Sequence, residues 1–522
     1  MKKSSVIILS VLTITIIVVS TIVMVTVFRN SNKYPTYSDF SFDEPYINDI
    51  DPSEMSINEW LEDLYYFMHI VKENYPFLWA RERTHDYNWL DLIPIYREKI
   101  INCQSNYEFL GIISDLVRAL QNVHSFLIMN EYSYDFLYTA FRYTYPFEYA
   151  FNELTTQAYE YWADQLSTLS NEIYQYYDAF IVYEKGNYSV YGSNSILEKY
   201  DLVNGSIVVT VNEIPIDEAV SQAFNKDLIK IDYNRDKLYL KYLKPYHFGA
   251  DAEYKIMIAG SNDYKDIIFD CGNHPDFTPP YFSKYPSNVY QLLDTHTAYM
   301  YIPTFNHQNR LIDYTDMIDF YEQIEGYEDL IIDIRANGGG SIYYWLDNII
   351  KPLQSTSLDY SFYMAYRNGT YVNSYLDTYY STSPMISKGE LDFLPEEVQT
   401  DAFIDDIHIW ELNLPMPTSN FNFTGNISLI IDDLTYSASE FLTSFCKQTG
   451  FAKIYGTFGG GDGLLRSYIV FALPNSKLII TMAKECGMTL EGVINEEFHI
   501  MPDVYFESDF NNWEELIDYI RS

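Results

Sequence analysis

Two stretches of this chain repeat one pattern, and that pattern restricts the fold more than any other feature. Asp329-Leu-Ile-Ile-Asp-Ile-Arg335 is a continuous apolar run of parallel-strand type, followed by the turn Ala336-Asn337-Gly338-Gly339-Gly340 and a helix predicted from Ser341 to about Leu353. Asn426–Gly463 repeats the arrangement: an apolar strand, a polar turn, a helix opening on Ser437, a second short strand and a glycine-rich loop. Units of this kind predict a mixed α/β fold with a parallel sheet and functional groups at the carboxyl ends of the strands. Ser437 falls in the first turn of a helix that directly follows a buried strand, where free backbone N–H groups can stabilise an oxyanion. An activated serine hydroxyl is the leading candidate, and it needs a base.

The rest of the chain sets the context. At 522 residues it exceeds what one core holds, so two or three domains are expected. With 33 Lys+Arg against 73 Asp+Glu the formal charge is −40, which disfavours nucleic acid as a partner. After residues 1–5, Val6–Phe28 is uncharged and long enough to cross a bilayer at about 20 residues, and no small-residue cleavage site follows. The expectation is an uncleaved signal anchor in the cell membrane, single-pass, with the acidic body extracytoplasmic. Residues 29–55 read as a linker. Ser56-Ile-Asn-Glu59 is a capping box that opens an N-terminal helical domain, 56–130, and Asn106–Gln121 has one apolar face leading to Asn122-Val123-His124-Ser125. A Tyr-rich helical insertion, 131–183, with a helix near Thr156–Tyr177, precedes a β-rich module, 184–262, for which a PDZ-like peptide groove is one role and a structural subdomain another. The remaining core spans 285–522, with an irregular insertion at 355–423.

Other chemistries fit poorly. Neither glycine cluster has P-loop or dinucleotide spacing. Cys103, Cys271, Cys446 and Cys486 lie far apart without a CxxC pair, and no histidines cluster at ligand spacing beside the acid pairs Asp405-Asp406 and Asp432-Asp433, which read as solvated loop carboxylates, so no metal and no cofactor is called for. A glycine turn before a helix can instead bring backbone N–H groups up to a reacting carbonyl.

Four motifs, Asp333-Ile-Arg-Ala-Asn-Gly-Gly-Gly340, Thr435-Tyr-Ser-Ala-Ser-Glu440, Gly456 and Met501-Pro-Asp-Val504, resemble in order and spacing the C-terminal processing (tail-specific) and tricorn protease family. The resemblance implies a ClpP/crotonase-like core of βα units and a serine peptidase acting on peptide or protein substrates. It implies Ser437 as nucleophile, with Ala438 N–H and a glycine amide, Gly339, as the oxyanion hole. The processing branch draws its base from a lysine in the loop that here carries Asp462, so a Ser–Lys dyad is absent; Lys447 and Lys453 read as surface residues. The tricorn-like branch uses a histidine from the helical region, matched by His124, and a glutamate near the Pro-Asp motif, matched by Glu496 with Glu497 as the alternative. His499 stands where that motif has glycine, and Val123 where the branch has serine, with Ser125 as a substitute. A second reading is the same fold without catalysis, binding peptides or apolar ligands.

Overall fold

The computed structural model describes residues 34–272, 285–379, 385–416, 423–465, 468–510 and 512–522. The helical domain opens with α1, Ile57–Asn74, whose capping box forms as the sequence predicts, and continues through α2 (Leu78–His85), α3 (Ile93–Ile101) and α4 (Asn106–Arg118). A two-residue strand β1, Phe126–Leu127, follows, and then α5 (Glu131–Phe141) and α6 (Glu153–Ile173). Residues 34–55, expected as a free linker, instead pack on this domain: Phe42 is buried, and Asn48 N donates to Pro474 O at 2.9 Å.

The β-rich module forms with its own buried core around Tyr188, Val190, Val220, Tyr254 and Ile256. It contains β2 (Tyr176–Tyr177), β3 (Phe180–Glu184), β4 (Asn187–Tyr191), β5 (Ser206–Val211), β6 (Ile214–Pro215), β7 (Lys230–Asp232), β8 (Lys237–Tyr239), β9 (Glu253–Met257), β10 (Tyr264–Ile268) and β11 (Cys271–Gly272). Its main sheet runs β10-β9-β5-β4-β3, while β7 and β8 form a separate hairpin.

The rest of the chain is built on a sheet of order β12-β13-β14-β18-β19-β23, formed by β12 (Val289–Leu292), β13 (Thr297–Tyr301), β14 (Asp329–Asp333), β18 (Asn426–Ile431), β19 (Lys453–Gly456) and β23 (Val504–Tyr505). All neighbours are parallel except β12 and β13. Leu330, Ile331 and Ile332 of β14 are buried, as expected of a strand covered on both faces. Because β14 and β18 are neighbours, with Asp333 opposite Ile430, the two turns that follow them lie side by side. Tyr436 N donates to Asn337 O at 3.0 Å, and Asp432 Oδ1 accepts from Ala336 N at 2.9 Å.

The 355–423 insertion is more ordered than its composition suggests. Its strands β15 (Leu358–Tyr366), β16 (Met385–Ser387) and β17 (Asp406–Leu414) make a sheet of order β16-β17-β15-β22 with β22 (Glu485–Met488) of the core. β20 (Tyr468–Ala472) and β21 (Ile479–Ala483) flank the turn at 473–478, and β1 of the helical domain pairs with β21. Helical domain and core are therefore joined by a sheet.

The membrane expectation is corrected. Among the described residues no helix is long and apolar enough to cross a membrane, so the single-pass, extracytoplasmic placement is not supported; the Val6–Phe28 run to which it was assigned lies outside the described residues.

Asp63 on α1 is the polar pin of the domain junction. It is fully buried and accepts from Asn475 N and Ser476 N, both at 2.8 Å, in the β20–β21 turn; burial pushes its carboxyl up to about 7. Asp63→Ala strands two buried N–H groups and is expected to cost about 2–4 kcal/mol, read as a lower urea midpoint at unchanged slope.

Candidate active site

Ser437 stands at the end of the turn after β18, immediately before α7 (Ala438–Thr449). Its backbone adopts φ 54° and ψ −120°, a conformation that costs energy for a residue with a side chain. Two hydrogen bonds hold it there: Ser437 N donates to Gly461 O at 3.1 Å, and Phe441 N donates to Ser437 O at 2.8 Å. The result is a hydroxyl displayed at the carboxyl edge of the sheet.

His124 arrives from the helical domain through the loop between α4 and β1. Its Nε2 is 3.4 Å from Ser437 Oγ, and its ring stacks on Tyr468 with centroids 6.1 Å apart. Its Nδ1 lies 3.2 Å from Asp462 Oδ2, within ion-pair reach though off the line of a hydrogen bond. Asp462 occupies the loop position at which the processing branch carries lysine. Burial alone would raise its pKa, but the charge of the adjacent His124, with smaller contributions from Glu496 and Arg81, brings it down to about 2. The carboxylate is fully buried and accepts from Asn122 Nδ2 at 2.6 Å and Val123 N at 3.2 Å.

Asn122 connects these parts. Its Nδ2 also donates to Glu496 Oε1 at 2.9 Å, and its Oδ1 accepts from His124 N and Ser125 Oγ, both at 3.0 Å. The structure thus sets Glu496 behind Asn122, paired with Arg81. Burial and the neighbouring Asp462 raise the Glu496 carboxyl well above the usual range. Glu497 turns away to Arg83, at 2.6 Å, and Ser125 Oγ accepts from Ala483 N at 3.1 Å. Sequence reasoning noted Asp462 only as a missing lysine and passed over Asn122. The signal available was a loop acid at the position where the relatives hold their titrating group.

The glycine turn after β14 reaches Ser437. A Cβ on Gly339 (φ +100°) would lie 2.9 Å from both Ser437 Cβ and Ala438 N, so no side chain fits. The Gly339 N–H is occupied by Asn337 Oδ1 at 2.9 Å. Among the described residues, the N–H groups of Gly338 and Ala438 have no partner. The second glycine cluster has a different cause. A Cβ at Gly459, Gly460 or Gly461 would collide with Glu440, Tyr436 or His499 respectively, so this loop is glycine-rich because it wraps three side chains closely.

Glu440, in the first turn of the helix that follows Ser437, is fully buried beneath that loop. Its Oε1 accepts from Ile500 N at 2.7 Å, and burial pushes its carboxyl up to about 8. His499 donates from Nδ1 to Gly459 O at 3.0 Å with its pKa brought down to about 4 by burial, so the imidazole is neutral. Lys447 pairs with Asp503 and Lys453 is exposed, both away from the serine.

Glu440 makes a pH prediction. Between its ordinary 4.5 and about 8, the folded state holds a proton that the unfolded state has released. Its contribution is therefore complete below 4.5 and is lost as pH rises through that window. Glu440→Gln, neutral throughout, is expected to flatten the fall in Tm between pH 5 and 9 relative to wild type; parallel curves in calorimetry would refute this.

Comparison with solved structures gives mature CPAF at 13% identity and a TM-score of 0.55, covering 89% of this chain and 96% of that one. Mature CPAF complexed with lactacystin gives 13% identity and 0.54, covering 89% and 98%. At this identity the likeness shows the fold. A comparison with curated proteins finds no match. Residues 296–506, which hold both βα units, Ser437, Asp462 and Glu496, match the model of Peptidase family S41, so this chain carries a domain of that family and is a serine peptidase.

Proposed function

We propose that the chain cleaves peptide bonds through an acyl-enzyme on Ser437, with His124 as general base and acid and Asp462 as the carboxylate that orients it. One observation carries this reading: His124 stands between Ser437 and Asp462, its Nε2 3.4 Å from Ser437 Oγ and its Nδ1 within ion-pair reach of Asp462 Oδ2 at 3.2 Å. In the first step His124 Nε2 takes the hydroxyl proton as Ser437 Oγ attacks the scissile carbonyl. The imidazolium then returns that proton to the leaving amine. Asp462 stays ionised and stabilises the imidazolium without accepting its proton. Water, deprotonated by the same His124, releases the acid product. The oxyanion is received by the Ala438 N–H and by the glycine turn, in which the Gly338 N–H is free whereas the Gly339 N–H must share its hydrogen with Asn337.

Glu496, which the family resemblance offers as the residue that orients and polarises the site, takes a supporting role here, holding Asn122 and Arg81 behind Asp462. Capture of the substrate chain by strand addition to the β-module belongs to the same proposal. The alternative, a peptide-binding protein of the same fold without turnover, has no structural feature of its own in its favour.

Intact-mass analysis after treatment with a fluorophosphonate tests the nucleophile: wild type is expected to gain one adduct at Ser437, while Ser437→Ala gains none. Equal labelling of the two would refute the assignment. Asp462→Asn, which keeps the shape and loses the charge, is expected to lower kcat by about 10²–10⁴. A kcat within twofold of wild type would remove Asp462 from the triad.

A further inference from the structure

The β7–β8 hairpin leaves the main sheet of its module and enters the core between three loops of the site. At its base Gln121, the residue before Asn122, is fully engaged with the incoming chain. Its Nε2 donates to Phe224 O and Asp227 O at 2.5 and 2.8 Å, and its Oε1 accepts from Ile229 N at 2.7 Å. On β7 the Lys230 ammonium crosses to the core and donates to the main-chain carbonyl of Asp433, in the turn just before Ser437. Tyr239 of β8 donates to Asp433 Oδ2 at 2.7 Å, and the Lys241 ammonium is 3.0 Å from Asp433 Oδ1. At the hairpin tip the Tyr233 hydroxyl donates to Glu497 O at 2.8 Å and accepts from His499 N at 3.3 Å.

Lys230 is only 8% exposed, and burying an ammonium is costly unless it is paired. What it holds explains its place. A cavity of about 150 Å³ lies along this seam, lined by Lys230, Asp433, Leu434 and Gly459, so the turn lacks close packing on that side. Its position depends on the polar contacts instead. From the Asp433 carbonyl the path to the serine is short. A Cβ on Gly460 would lie 2.9 Å from Asp433 O, Gly460 N donates to Thr435 O at 2.8 Å, and Gly461 O receives Ser437 N. The Lys230 ammonium also lies over the Tyr436 ring, 5.6 Å from its centroid.

We propose that Lys230 is a positioning residue for Ser437, so that the β-module holds the nucleophile's turn in its strained conformation in addition to any part it has in taking up substrate. This rests on Ser437 being the nucleophile. Lys230 touches no reacting atom; it acts through Asp433, Gly460 and Gly461.

The test uses the full chain and two readouts: the rate of fluorophosphonate labelling at Ser437, and kcat and KM on a peptide substrate. Lys230→Met keeps the aliphatic stem and removes the charge. It is expected to slow labelling and lower kcat by about 30-fold or more, since small misplacements of a catalytic group cost on the order of 10²-fold, with KM within about threefold. Lys230→Arg is expected to recover most of the loss. Lys237→Met, on the same hairpin but paired outward with Asp217, is expected to match wild type. A folded Lys230→Met that labels at the wild-type rate overturns the proposal, as does loss without recovery in Lys230→Arg. Should Lys230→Met fail to fold, Tyr239→Phe removes one bond to the same turn and is expected to lower kcat at constant KM; an unchanged kcat there also overturns it. Failure of wild type to label would instead strike at the nucleophile assignment, so the two ideas fail in different ways.

Discussion

The buried carboxylate of Asp462 is the interaction on which the rest of this structure depends. It projects from a glycine loop of the core, yet its partners, Asn122, Val123 and His124, come from the helical domain. A fully desolvated carboxylate is tolerable only with such partners. Docking of the two domains and alignment of the base with the serine are therefore one event. The depressed pKa of Asp462 makes the same statement about stability: the group contributes above its ordinary 3.8, and the contribution is lost as pH falls through about 2. A chain that separated its domains would lose its base and expose an unpaired acid in the core.

Backbone geometry sets how close the parts can come. Ser437 and Asp462 both sit at positive φ, each at 54°, and face one another through the Ser437 N to Gly461 O bond and the Tyr436–Gly461 bridge. Two neighbouring strained residues persist because the surroundings fix them from several sides: Gly339 against the serine, Glu440 and His499 beneath the loop, Lys230 across the seam. The strain is local, whereas the restraint comes from three separate segments of the chain.

What the sequence allowed one to read follows from that distribution. The two βα units were legible because parallel strands buried on both faces read as unbroken apolar runs, as at Leu330–Ile332, and because the serine follows such a run directly. His124 became legible only through the family resemblance, since a lone histidine after a helix carries no local mark. Asp462 was seen as an absence, because nothing in a one-dimensional reading says that its loop meets residue 122. The 355–423 segment was read as irregular for a similar reason: β15 pairs with β17 across an intervening helix and with β22 far along the chain, and strand pairing at such separations leaves no periodic trace. Glycines were the most ambiguous letters. Of 338–340, Gly339 lies against Ser437 and Ala438 while Gly340 packs on the Phe305 backbone, and those of 459–461 are small because Glu440, Tyr436 and His499 fill the space a side chain would need.

Three carboxyls lie near this site, and their surroundings separate their roles. Asp462 is held ionised by the histidine beside it, while Glu496 is driven toward its neutral form by burial and by Asp462, and Glu440 is pushed toward its neutral form chiefly by burial, with a smaller push from Asp462. Three charges could not coexist there, because like charges in a low-dielectric interior repel strongly. The single surviving charge is the one in line with His124. Driven toward its neutral form, Glu496 competes less with Asp462 for the imidazolium. By keeping Glu496 one residue back, with Arg81 on its other side, the fold confines the attraction for His124 to one oxygen pair and so fixes the direction in which its Nε2 faces the serine.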